Sequence, residues 1–254
     1  MLVLERALIG AEQAGKPPDW TQARAVRLPD DWADRSANRS GVMWYRLSLP
    51  PVVAGGLLGL YVERACSVLQ VWLNGQLVHD GGQFVEPVSR NCHQPQLVAL
   101  PALLLRDQDN RLELRVRGYA LAEVSARNRA GGLSAVTFGP YEQVAAQHAR
   151  RSVWATRLPE VLSGALLLMG SFMFVLGWFN RAQSYLAYFG ALMVGWSLLL
   201  ARLWVSNLPI SNRVTELLLA VLMAFIAMTA VQFLMRYASR RLRWLNLSLQ
   251  RFWA

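Results

Sequence analysis

Arg111-Leu112-Glu113-Leu114-Arg115-Val116-Arg117 alternates without a break, three aliphatic side chains against four charged ones. A period of two belongs to an extended strand, so Leu112, Leu114 and Val116 face a core and Arg111, Glu113, Arg115 and Arg117 face water. The same grammar runs back to Val42, where Tyr45, Leu47 and Leu49 share one face and Trp44, Arg46 and Ser48 the other. Between these two segments, Leu57 to Arg64 and Val68 to Val78 are near-continuous apolar strands, and Asn74-Gly75 marks a hairpin because both residues tolerate positive φ. Many short strands from Val42 to Gly118, joined by Gly and Pro, predict a β-sandwich.

Beyond residue 157 the alternation stops. Three apolar runs follow, 161–179, 185–203 and 217–235, each near the twenty or so residues that a helix needs to cross a bilayer. Trp154, Trp178, Tyr185, Trp204 and Tyr237 fall at the run ends, where interfacial aromatic belts lie. With 54% apolar and 17% charged residues, a wholly soluble chain is excluded. The expected architecture is a β-sandwich followed by an all-α transmembrane bundle of three complete helices, a fragment of a larger bundle. Small residues recur every four positions at Ala187, Ala191 and Gly195 and at Ala220 and Ala224, as close packing in lipid or simple Ala-rich composition would give. Gln232 is the only strongly polar residue inside the third run, and no run interior carries an acidic one, which argues against a proton or cation pathway.

Charge supports the division. Residues 1–150 carry 16 Lys+Arg against 14 Asp+Glu, and 151–254 carry 10 against 2. The basic excess sits at the edges of apolar runs, as in membrane flanks, so nucleic acid is not an expected partner. With the first part outside, Arg181, Arg236, Arg240, Arg241, Arg243 and Arg251 are cytoplasmic, and Arg150, Arg151, Arg157, Arg202 and Arg213 are external. The opening Met1 to Gly10 has neither a basic leader nor a sustained apolar stretch, so any export signal is expected to lie outside this sequence, which reads as a fragment at both ends. Cys66 and Cys92 lack redox or zinc spacing; the sequence leaves their pairing open and favours a buried small hydrophobe plus a loop thiol.

Trp20, the Leu28-Pro29-Asp30-Asp31-Trp32 stretch, Trp44-Tyr45-Arg46, Val71 to Gly75, Gly81-Gly82, Leu100 to Leu104 and Asn110 to Val116 occur in the order found in the galactose-binding-like jelly roll of family 2 glycoside hydrolases, which the first part resembles. Gly131 to Tyr141, a basic stretch, and a helix ending Gly177 to Arg181 are similar to bacterial seven-transmembrane receptors with diverse intracellular signalling modules and to sensor histidine kinase input regions. The resemblance implies a periplasmic jelly roll, an inner-membrane multi-pass bundle of about seven helices, a homodimer, and a histidine kinase or cyclase output. The chain departs from that pattern in having three runs and no output domain. The division expected is an extracytoplasmic sensory domain over 1–145, a connector over 146–160, a transmembrane region over 161–251, and, within 236–254, a basic cytoplasmic loop and the start of a fourth helix.

Catalysis would need a constellation, and none is legible. Asp80, Glu86 and Asp109 offer no paired carboxylates in a catalytic setting, and the hydrolase family keeps its own in a separate barrel. His79, His93 and His148, even with Cys92 or Asp80 beside them, do not make a four-ligand metal site. No phosphate cradle or phosphoacceptor histidine appears, so no enzyme activity, cofactor or metal is expected of this chain. Sugar recognition would need aromatic faces and polar groups, for which Trp20, Trp32, Trp72, Phe84 and Arg90 are the candidates. Trp72, Phe84 and Arg90 are preferred because the stretch after Gly82 is the longest without strand character inside the roll.

The function expected is the sensory input of a membrane receptor detecting a carbohydrate or other small ligand, with the lipid bilayer and a downstream module as partners. The alternative is a membrane-anchored carbohydrate-binding accessory module of an envelope enzyme. The joint between the halves, Tyr141 to Leu158, has roughly helical spacing and reads either as a passive linker or as a short lever, with Pro159 opening the first membrane helix.

Overall fold

The computed structural model describes residues 1–35, 37–51 and 56–252, without the side chains of residues 128 and 239–252. The chain divides into two compact units, Met1–Arg157 with Leu203–Glu216, and Leu158–Arg202 with Leu217–Ala254.

In chain order the first unit carries β1 (Leu2–Leu4), β2 (Arg6–Ala11), β3 (Arg24–Arg27), β4 (Asp30–Asp31), a single turn α1 (Trp32–Arg35), β5 (Gly41–Ser48) and β6 (Leu58–Val62). It continues with β7 (Ala65–Cys66), β8 (Val68–Leu73), β9 (Gln76–Asp80), β10 (Gln96–Leu100), β11 (Arg111–Gly118), β12 (Gly132–Leu133), β13 (Val136–Pro140) and α2 (Tyr141–Ser152). A six-stranded antiparallel sheet has the order β3-β2-β5-β11-β8-β9, a four-stranded one β1-β13-β6-β10, and β4-β12-β7 form a small third sheet. Alternation does what the sequence predicts: Leu112, Leu114 and Val116 are fully buried in β11, and they meet Tyr45, Leu47, Leu69 and Val71 of their own sheet and Leu60, Val62, Val98 and Val136 of the other in one core. The sandwich is therefore observed as expected. Asn74-Gly75 turns β8 into β9 with both residues at positive φ.

Two features of the sandwich depart from the sequence reading. Strands begin at Leu2 rather than Val42: β2 lies between β3 and β5, and Leu4, Ala7 and Ile9 are core residues. Three- and six-residue strands give too short a run for periodicity to declare itself, and only long-range pairing reveals them. The cysteines form a Cys66–Cys92 disulfide, with both side chains buried, in place of the favoured pair of free thiols.

Within the core runs a polar chain built on the Asp30 and Trp32 positions. Trp32 Nε1 donates to Tyr45 Oη at 2.7 Å, Tyr45 Oη donates to Asp30 Oδ2 at 2.6 Å, and Arg35 grips Asp30 with two bonds of 2.9 and 2.7 Å. Burial first, and then the Asp30 carboxylate, push the Tyr45 hydroxyl well above the ordinary tyrosine range. Trp32 is thus a framework residue and not a ligand face.

α2 belongs to the sandwich. It packs on the four-stranded sheet where β6 carries Gly59; a Cβ there would lie 2.8 Å from Val144 Cγ2 and 3.1 Å from the Tyr141 ring, and Val144 is fully buried. Past Ser152 the helix widens into a π turn, Val153–Arg157. A proline at 159 cannot donate to a carbonyl four residues back, and the wider turn just upstream accommodates that loss. Helical structure is thus continuous from Tyr141 to Phe179, where the sequence suggested a fresh start at Pro159.

In the second unit α3 (Leu158–Phe179) and α4 (Tyr185–Ala201) form a hairpin. Their backbones touch at Gly170 and Gly190 and at Gly177 and Ala187, and Ser197 Oγ donates to the Ser163 carbonyl at 2.7 Å. The residues of α5 (Asn212–Phe252) from Leu217 onward complete the unit, with Ile226 against Gly195. Two helices, Tyr141–Phe179 and Asn212–Ala238, are long and apolar enough to cross a membrane, not the three expected. The middle run yields only the 17 residues of α4, about 25 Å at 1.5 Å per residue against a hydrocarbon core of about 30 Å. The apolar count continued to Leu203, whereas the helix stops at Ala201 and the chain there turns back to the first unit.

Candidate functional site

The fifteen residues between Asp80 and Gln96 hold no strand, as expected, yet they are pinned rather than loose. Ser89 closes the loop on itself: its backbone N–H donates to Gln83 O and its Oγ accepts from Gln83 N. Asn91 bonds Ser67 O through its backbone and Gly81 O through Nδ2, and Cys92 is bridged to Cys66 one residue before Ser67. Cys92 therefore offers no thiolate to a metal. His79 Nε2 lies 3.0 Å from Gln96 Oε1, beside the root of the loop.

The three preferred residues occupy two sides of this loop. Trp72 is half-buried on the outer face of the six-stranded sheet, its ring centroid 6.0 Å from that of Trp44. Phe84 comes down on the same face, its ring 4.2 Å under the Arg115 guanidinium. Arg115 is tied to Glu12 by 2.6 and 2.9 Å bonds and to Gln70, and Trp44 Nε1 reaches the same Glu12. Trp44 and Phe84 are both buried, Phe84 in a cluster with Val68, Val88 and Tyr119 and beneath Arg115, so Trp72 is the one ring of these three left half-exposed. Trp72 Nε1 is buried and has no hydrogen-bond partner among the described residues, so one donor on this face is uncommitted. Trp20, the fifth candidate, stacks on Arg46 at 3.9 Å farther along the sheet.

Arg90 turns the other way. Its backbone N–H donates to Ser206 O at 2.9 Å and its Nη2 to Ile210 O at 2.8 Å. Ser89 Oγ bonds Asn207, Gln94 Nε2 bonds Trp204 O, and Glu86 accepts from the Asn212 N–H and from Tyr119 Oη. Glu216 completes the seam, accepting from Arg129 and from the Ser125 N–H; both side chains of that ion pair are about nine-tenths buried. Burial first, then the neighbouring Arg129, lowers the Arg90 guanidinium from its ordinary range, while burial and the Glu86 bond raise the Tyr119 hydroxyl. The loop chosen from sequence as the ligand loop is therefore clasped by Leu203–Glu216, the segment that leads from α4 into the first turn of α5.

Sequence reasoning did not find that clasp. One signal was present: Trp204 to Glu216 is longer than a helical hairpin needs, and it carries Ser206, Asn207, Asn212 and Glu216, including the only acidic residue after Glu160.

No family model matches the chain, and no curated protein matches it. Solved structures similar to it include a β-glucuronidase from Faecalibacterium prausnitzii, 20% identical over 46% of this chain and 21% of that one, with a TM-score of 0.35. A glycosyl hydrolase family 2 member from Bacteroides cellulosilyticus is 15% identical over 54% and 20%, with a TM-score of 0.41. A β-glycosidase from Bacteroides vulgatus is 16% identical over 54% and 19%, also at 0.41. The chain spans less than a third of the length of each.

Proposed function

We propose that this chain is the input region of a bacterial membrane signal-transduction receptor. In this reading the sandwich lies outside the inner membrane and takes up a carbohydrate or other small molecule at the sheet face that carries Trp72. The helices then bias a cytoplasmic module, such as a histidine kinase, in a homodimer. The observation that carries the proposal is the double attachment of the sandwich to helical segments, through α2 on Gly59 and through the clasp of Leu203–Glu216 on the Gly81–Pro95 loop. A module that only anchors a sugar-binding domain has use for one tether; a transmitter gains from a second contact on the element that meets the ligand. The buried Cys66–Cys92 bridge supports an oxidising compartment for the sandwich.

The test uses the full-length gene product in vesicles, with kinase or cyclase output read across a panel of mono- and oligosaccharides. A ligand response that disappears in Asn207→Ala/Glu216→Gln, while ligand still binds, supports the receptor. A reading frame that ends near the last helix, or continues into a barrel domain, sinks it in favour of the accessory module.

A further inference from the structure

The helical unit is electrically lopsided. Within Leu158–Arg202 and Leu217–Ala254 the sequence has Arg181, Arg202, Arg236 and four more arginines between Arg240 and Arg251, against one carboxylate, Glu160. Glu160 stands in the first turn of α3, and Arg181 follows the last, so some twenty helical residues, about 30 Å, separate them. Charge at the Arg181 end is not balanced by acidic side chains of this unit.

At that same end lies an open-sided groove of about 390 Å³ between α3, α4 and α5. Phe174, Trp178, Phe225 and Met228 are among the side chains that line its apolar length, and Arg181, Ser184 and Arg236 line its polar mouth. The mouth is organised: Arg236 Nη1 donates to Ser184 Oγ at 2.9 Å and its guanidinium lies 4.7 Å over the Tyr188 ring. Next to it Tyr185 meets Tyr237 edge-on and Tyr237 stacks on Phe233, so that aromatic rings join α4 to α5. The groove itself is left narrow enough to be lined on three sides because Gly177 lets Ala187 approach its backbone.

An apolar slot with cations only at one end matches an amphipath with an acidic head. Between membrane helices, that chemistry is an acyl chain in the slot and a headgroup phosphate on the arginines. We infer that this groove binds an anionic phospholipid, its phosphate held by Arg181 and Arg236 and one chain laid along Phe174, Trp178 and Met228. The inference rests on the reading of the helices as a membrane region.

The test takes the whole chain in a mild non-ionic detergent and adds back phosphatidylglycerol, phosphatidylcholine of the same acyl chains, or inorganic phosphate. Bound lipid is read by native mass spectrometry and stability by thermal unfolding. Phosphatidylglycerol should bind saturably, remain on the protein and raise the midpoint, while phosphatidylcholine and phosphate do none of these. Arg181→Gln/Arg236→Gln should weaken phosphatidylglycerol about 30-fold, which corresponds to about 2 kcal/mol for two juxtamembrane arginines, and the Arg→Lys pair should recover most of it. Ala191→Phe, which fills the slot without touching charge, should lower lipid retention while leaving the chain folded. Equal effects of the two lipids, protection by phosphate alone, or an undiminished phosphatidylglycerol effect in the double Gln variant overturns the inference. So does a full-length protein in which another helix fills the slot and no lipid is retained. A chain that stays soluble and monodisperse without detergent fails the membrane reading itself; a chain that needs detergent yet shows no lipid selectivity fails only this inference.

Discussion

Replacing Glu216 with alanine tests the clasp directly. Its two carboxylate oxygens serve Arg129 and the Ser125 N–H, and Arg129 is buried enough that water cannot take the carboxylate's place without opening the seam. Leaving one partner of such a buried pair uncompensated costs about 3–5 kcal/mol. Taking the lower figure, and 1.4 kcal/mol per tenfold, the detached state of Leu203–Glu216 becomes about 100-fold more populated. Amide hydrogen exchange on the whole chain in detergent reads that population. Peptides covering 203–216 should exchange about 100-fold faster, and the Arg90 amide, which donates to Ser206 O, should accelerate with them, while those of β11 stay protected. Arg129→Ala should produce the same change, and the double variant should add little to either single one. Protection of 203–216 within about threefold of the parent chain would show that the Arg129–Glu216 ion pair does not hold the segment in place.

Tyr45→Phe removes the shared hydroxyl between Trp32 and Asp30 and should cost about 2–4 kcal/mol, seen as a lower urea midpoint; an unchanged midpoint refutes the role of that buried chain. Residues 1–157 expressed alone should melt cooperatively with a β-rich circular dichroism spectrum, whereas 15–145 should not, since it lacks β1 and β2; a cooperative melt of the shorter piece would deny those strands their place. Cys92→Ala opens a crosslink between residues 26 apart and should cost about 3–4 kcal/mol, lowering the melting point of 1–157 by about 10 °C. Tyr61, raised to about 12 chiefly by burial, together with Tyr45 and Tyr119, ionises in the unfolded chain first. Stability should therefore be intact below about pH 10 and fall as pH climbs toward 12; tyrosinate absorbance appearing before unfolding would contradict this sign.

The sandwich was legible where burial and period coincide over eight residues, as in β5 and β11, and where a turn demands particular residues, as at Asn74-Gly75. It was not legible where pairing rather than pattern makes the strand: Leu2–Leu4 is a strand because Val136–Phe138 lies beside it. Trp72 and Phe84 were chosen from loop position and residue type, and the structure brings them to one face through Trp44 and Arg115. Arg90 was chosen on the same grounds and faces the clasp, because spacing does not tell which side of a loop a side chain leaves from. The apolar run at 185–203 counted side chains correctly and length incorrectly, since hydropathy has no term for where the backbone turns.

The pairing of β1 with β13, and the return of the chain at Leu203, fix the order in which the molecule can be made. Leu2 waits for Phe138, and the seam around Arg90 waits for Glu216, by which point α3 and α4 have already left the ribosome. At ordinary rates of synthesis that interval is on the order of ten seconds or more, during which β1 and β6 lack the β13 strand that will later lie between them. The strand framework is thus complete once β13 has emerged, whereas the contacts of Arg90 and Arg129 form only after Leu203–Glu216 has been made. A substitution confined to Leu203–Glu216 can accordingly surface as protease sensitivity of the Gly81–Pro95 loop, with no change in any strand of the sandwich.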